Sequence, residues 1–85
     1  MLKLKPTVKK SKVDDEIVLL DSASGVYYGL NEVGSRMLEL ALNAENEEEI
    51  IRKLLEEYEV DESRLRQDYR DLMDALQSKG LIGEV

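Results

Sequence analysis

The spacing of apolar and polar positions changes rhythm along the chain. Glu16–Asp21, EIVLLD, is apolar and β-branched, the composition of a strand. SASG follows as a turn, with Gly25 available for positive φ. VYYGL, Val26–Leu30, returns with period two: Val26, Tyr28 and Leu30 share one face, Tyr27 and Gly29 the other. Upstream, Thr7–Lys10 reads as a short edge strand, because Pro6 is tolerated just before one. Residues 1–12 read either as a flexible basic arm or as the carrier of that first edge strand.

From Asn31 the period lengthens to that of a helix. Asn31 caps a first helix whose apolar residues are Val33, Met37, Leu38, Leu40, Ala41 and Leu42, and Glu32 favours its first turn. Asn46 caps a second, with Glu49 placed to complete a capping box. Its stripe is Ile50, Ile51, Leu54, Leu55 and Tyr58. Asp61 caps a third, with Leu65, Tyr69, Leu72, Met73 and Leu76 as its stripe and Gly80 as its stop. LIGEV is either a tail or a last short strand. Strands first and three amphipathic helices after predict an α+β domain over residues 1–85. Its expected form resembles a winged helix-turn-helix: a small N-terminal antiparallel sheet, of two strands or of three with the edge strand, packed on three helices whose stripes enclose one core against it.

Composition narrows the chemistry. The chain has 85 residues, enough for one small domain. It has no Cys and no His, so disulfides, thiol chemistry, the usual general base and the commonest metal ligand are missing. No calcium-loop pattern of alternating oxygen ligands around a glycine is present. No metal and no cofactor are therefore expected. The paired carboxylates Asp14/Asp15, Glu47/Glu48/Glu49, Glu56/Glu57 and Asp71/Asp74 fall on polar faces or in first turns, the places of solvated charge rather than of a dry acid–base pair. With 12 basic and 19 acidic residues the formal charge is −7, which sets nucleic acid aside as a partner. Arg64, Arg66 and Arg70 on the third helix are outnumbered there by Asp61, Glu62, Asp68, Asp71 and Asp74. The basic N-terminus has no apolar run behind it, and no run could span a membrane as a helix; the expectation is a cytoplasmic protein with no membrane partner.

VYYGL carries neither the charge nor the proline that normally blunts a sheet edge, and Gly29 leaves room for another backbone to approach. Such an edge can take an extended peptide as an added strand. An equally plain reading makes Tyr28 a core residue and Tyr27 a half-exposed strand aromatic. Two other classes stay open: a winged-helix DNA binder, and a homodimer that pairs this edge with itself.

The ordered set Tyr27, Tyr28, Leu30, Asn31, Glu32, then Asp68, Tyr69, Leu72, Leu76, Gly80 and Leu81, resembles the PqqD-like family, the recognition elements of ribosomally made peptide natural products. The likeness covers about Glu16 to Ile82 and implies a three-stranded antiparallel sheet packed on three helices. YYGLNEVG is most similar to the short stand-alone members of lasso-peptide clusters; the PqqD type, which presents the PqqA precursor, is the alternative. The resemblance implies a non-enzymatic protein that binds a precursor's leader peptide as a strand along Val26, Tyr27, Tyr28, Gly29 and Leu30. The third helix closes the groove, with Arg64, Asp68, Leu72 and Ala75 as the residues expected there. That flank follows from the family's Asp falling on Asp68, which has the alternative role of bracing a loop. The partners implied are the leader peptide, a separate leader peptidase and an ATP-dependent cyclase.

Overall fold

A computed structural model describes residues 2–43 and 46–84. In chain order these form β1 (Leu2–Leu4), β2 (Val8–Val13), β3 (Glu16–Asp21), β4 (Tyr27–Gly29), α1 (Glu32–Leu42), α2 (Glu47–Glu57), α3 (Glu62–Ser78) and β5 (Ile82–Glu84). The α+β architecture matches the expectation from the sequence, with one sheet made of β2, β3 and β4 in that order, antiparallel throughout.

Two strands differ from the sequence reading. The first edge strand runs Val8–Val13 rather than Thr7–Lys10, because β2 pairs with the whole length of β3, from Val8 opposite Asp21 to Val13 opposite Glu16. Asp14 and Asp15 then form the two-residue hairpin tip, with Asp14 at φ 57. Residues 1–12 are no loose arm over the described part: Leu2–Leu4 is a strand, paired antiparallel with Ile82–Glu84 in a separate two-stranded ribbon. Alternation placed neither strand of this ribbon firmly, since each is three residues long and their partners lie at opposite ends of the chain. Met1 and Val85 lie outside the described residues.

The predicted caps form. Asn31, Asn46 and Asp61 each accept a hydrogen bond from the backbone N–H three residues on, at 2.8, 2.9 and 3.0 Å. The capping box is made only in its first half; the Glu49 carboxylate is taken by Arg52 at 2.7 Å. After α3, Gly80 adopts φ 72, and the N–H groups of Gly80 and Leu81 return to the carbonyls of Gln77 and Leu76.

The interior has two apolar clusters. Ile17, Leu19, Leu30, Leu38, Leu76 and Leu81 join the sheet to α1 and α3. Met37, Leu40, Ala41, Ile50, Ile51, Leu54 and Leu65 join the three helices to one another. α1 supplies Leu38 to the first cluster and Met37, Leu40 and Ala41 to the second and packs on β3, so it joins the sheet layer to the helical layer, and Leu72 and Met73 of α3 touch both clusters beside it. α2 packs on α1 and α3 rather than on the sheet.

Candidate functional site

β4 is the last strand of its sheet, and its outer edge is unpaired among the described residues. The hairpin that delivers it is tightly specified. The Asp21 carboxylate accepts from the Ala23 N–H at 3.0 Å and the Ser24 hydroxyl at 2.9 Å, while Gly25 takes φ 76 and its N–H returns to the Asp21 carbonyl at 2.8 Å. The Thr7 hydroxyl, the Ala23 N–H and the Ser24 hydroxyl hold the Asp21 pKa below its ordinary value.

Hydrogen-bond phase decides which backbone groups are free. Asp21 donates to the Val26 carbonyl at 2.9 Å and Leu30 to the Ile17 carbonyl at 2.8 Å. In an antiparallel pair the bonded positions alternate, so Tyr28, opposite Leu19, also turns its N–H and C=O inward to β3. Tyr27 and Gly29 turn theirs outward. Of the docking edge expected along Val26–Leu30, these two residues offer their backbone, and only one of the two tyrosines faces outward; the Val26 N–H is taken by the Ser24 hydroxyl at 3.3 Å.

Leu30 ends the strand and Ser35 locks the junction into α1. Ser35 is buried; its Oγ accepts from the Ile17 N–H at 2.8 Å and donates to the Leu30 carbonyl at 3.3 Å. One hydroxyl therefore fixes β3, the end of β4 and the first turns of α1 relative to each other.

Beside the β4 edge lies an open groove of about 560 Å³. One wall is Tyr28, Gly29, Leu30 and Asn31, the second is Val33, Gly34 and Met37 of α1, and the third is Asp68, Asp71, Leu72 and Ala75 of α3. Leu30 and Met37 are buried, and Val33, Leu72 and Ala75 are half-buried, so the floor is apolar. The charged lining is acidic: Asp68 accepts from Arg64 at 3.4 Å, and Asp71 from the Gln67 amide at 2.9 Å. Lys79 places its ammonium 5.8 Å from the centre of the Tyr28 ring.

Six of the nine expected site residues meet around this groove: Tyr28, Gly29, Leu30, Asp68, Leu72 and Ala75. Arg64 does not line it; it is exposed, and among the described residues its guanidinium pairs with Asp68. Val26 lies short of it in the turn. Tyr27 points to the opposite face of the sheet, 69% exposed. The α1 wall, Val33, Gly34 and Met37, was missed. In the sequence Val33 and Met37 belong to an apolar helix stripe and carry no sign of whether the stripe is fully covered, and Gly34 lies outside that stripe. Of the paired carboxylates, Asp71 does reach the groove, but on an exposed helix face, with no dry partner for acid–base work. Among the described residues no group of three or more potential ligands is placed to hold a metal. No described helix is long and apolar enough to cross a membrane.

The fold is shared with solved structures of peptide-bound proteins. A structure described as TbiB1 in complex with the TbiA(beta) leader peptide is 37% identical, with a TM-score of 0.84 over 98% of this chain and 96% of that one. One described as lasso peptide synthetase B1 complexed with the leader peptide is 26% identical, with a TM-score of 0.88 over 98% of both. No curated protein matches the chain. The family described as Coenzyme PQQ synthesis protein D (PqqD) matches residues 16–82. That segment holds β3, the open strand β4, the Ser35 junction and both helical walls of the groove, and by it the chain belongs to the PqqD family.

Proposed function

We propose that this protein recognises the leader peptide of a lasso-peptide precursor, taking an extended stretch of it as a fourth strand on the open edge of β4. The observation that carries the reading is the coincidence of a free strand edge with an apolar groove closed by α1 and α3, in a fold whose solved relatives are complexed with leader peptides. The outward N–H and C=O groups of Tyr27 and Gly29 supply register. Alternate side chains of the added strand point into the groove and supply selectivity. The protein acts as an adaptor rather than an enzyme: it concentrates the precursor for a leader peptidase and a cyclase encoded by other genes.

The family description favours a second reading, a chaperone that presents the precursor of coenzyme PQQ. The likeness over 98% of both chains to lasso peptide synthetase B1 complexed with its leader peptide supports the lasso reading ahead of it.

Isothermal titration with the synthetic leader of the cognate lasso-peptide precursor tests the proposal. One-to-one binding between about micromolar and ten nanomolar, on the order of −8 to −11 kcal/mol, is expected. No heat at high micromolar protein overturns it. Tighter binding of a PqqA-type precursor in the same titration selects the second reading.

A further inference from the structure

Gly29 occupies a strand, where glycine is a poor choice because it adds backbone entropy and no packing. The fold does not ask for it. Gly25 and Gly80 need their positive φ, but Gly29 is not among the positive-φ residues. A Cβ added to Gly29 meets nothing within 4 Å, whereas one added to Gly34 comes to 3.2 Å from Asn31 Oδ1. The absent side chain leaves open space.

That space is on the outer face of the sheet. Tyr28 and Leu30 point inward to the groove and core, so the side-chain position of Gly29, whose backbone borders the groove, faces away with Tyr27. Val18, directly opposite Gly29 on β3, is 37% exposed on the same outer face. Tyr27 stands two residues before it, 69% exposed. The clearing is thus walled by a valine and a tyrosine that the fold leaves uncovered, beside the backbone groups of Gly29 that face the open edge.

We propose that this clearing is a second subsite for the docked peptide, filled by one large apolar side chain. The inference rests on strand addition at β4. A docked strand puts alternate side chains on opposite faces, and the groove reads only the inner set. The residue beside Gly29 on the outer face lies across the glycine, covers its backbone and packs on the Tyr27 ring and Val18, as large side chains do over strand glycines. The recognised segment then carries apolar anchors at neighbouring positions, one for each face, rather than at alternate positions only.

The test is Gly29→Val and Gly29→Ala in the full chain, titrated with the leader peptide and with its single-alanine variants. Gly29→Val is expected to melt no lower than the wild type, since valine suits a strand, and to bind the leader at least about tenfold more weakly. One leader position, adjacent to a groove-facing one, should lose about tenfold on alanine substitution with wild-type protein and less than about threefold with Gly29→Val. Leader affinity within about twofold of wild type for Gly29→Val overturns the subsite; if that variant does not fold, Gly29→Ala decides by the same criterion. Loss of binding in Tyr27→Pro with none in Gly29→Val removes the subsite and leaves strand addition standing. Failure of the wild type to bind the leader removes both.

Discussion

Ser35 is a buried hydroxyl between two strands and a helix, accepting from Ile17 and donating to Leu30. Ser35→Ala leaves the Ile17 N–H buried without its acceptor, which costs roughly 1–3 kcal/mol. For a domain of this size that lowers Tm by about 4–8 °C per kcal/mol, measurable by thermal unfolding. Leader affinity should fall with it, because the angle between β4 and α1 sets the groove. Asp68 behaves oppositely. Its ion pair with Arg64 is solvent-exposed, and such pairs contribute about 0–1 kcal/mol. Asp68→Ala should therefore leave Tm nearly unchanged while weakening leader binding; equal losses of stability and affinity would make it a brace. Leu72 is half-buried rather than fully buried, so Leu72→Ala should cost stability at the low end of core truncations, about 1–2 kcal/mol, and should weaken binding as well.

β4 has only three residues in its ladder, and it depends on the hairpin turn and on Ser35 for its position. Its two tyrosines separate the functions of its two sides. Tyr27→Pro deletes an outward N–H, and proline is tolerated at such an edge position. The variant should stay folded by circular dichroism and lose leader binding. Tyr28→Pro deletes the bond to Leu19 and should damage the hairpin itself, seen as a lower Tm. Normal binding by a folded Tyr27→Pro protein would place docking elsewhere. At α3, the same helix supplies Leu65 and Leu76 to the core and Asp68 and Ala75 to the groove, while Leu72 serves both, so packing and recognition are separable by substitution at Asp68 but not at Leu72.

Across the whole molecule, the helices are tied by ion pairs. Arg36 forks onto Glu57 at 2.9 and 3.0 Å between α1 and α2, and Arg66 and Arg70 clasp Glu47 and Glu48 between α3 and α2. Hydrogen bonds from Arg70 hold Glu47 below its ordinary pKa, with Arg66 adding to the effect, and those from Arg36 do the same for Glu57. The Ser63 hydroxyl and the Arg64 N–H depress Asp61. Each carboxylate binds its proton less readily when folded than when unfolded. Their stabilisation is therefore complete above about pH 5 and is lost as pH falls through about 4 and below. Tm should be flat from roughly pH 8 to 6 and fall below about 4.5; solvent screening keeps the effect modest and high salt should reduce it. The proposed adaptor role predicts that, in a cleavage time course with a leader peptidase, this protein alone should cut nothing, and adding it to the peptidase should lower the apparent KM for the full precursor. Tethering raises local substrate to about the millimolar range. A leader-less core peptide should gain nothing, and an unchanged rate on the full precursor would deprive the adaptor reading of support.

Local physics settled much of this in advance. Caps at Asn31, Asn46 and Asp61, the turn at Gly25, the three helical stripes and the faces of Val26–Leu30 are short-range consequences of side-chain size, hydrogen-bonding capacity and backbone freedom, so they can be read from the residues in order. The absence of Cys and His, a property of composition, likewise needed no fold. What depended on distance in space did not show. The β1–β5 ribbon joins opposite ends of the chain, and two three-residue strands have too little pattern to announce each other. The phase of the β3–β4 ladder, which leaves Tyr27 and Gly29 rather than all five residues facing outward, is set by register between strands. Val33 and Met37 look like ordinary helix core in sequence; only the crossing of α1 and α3 beside β4 leaves a groove above them. An apolar stripe states that burial is favourable, but how much of the stripe is covered depends on where other elements come to rest.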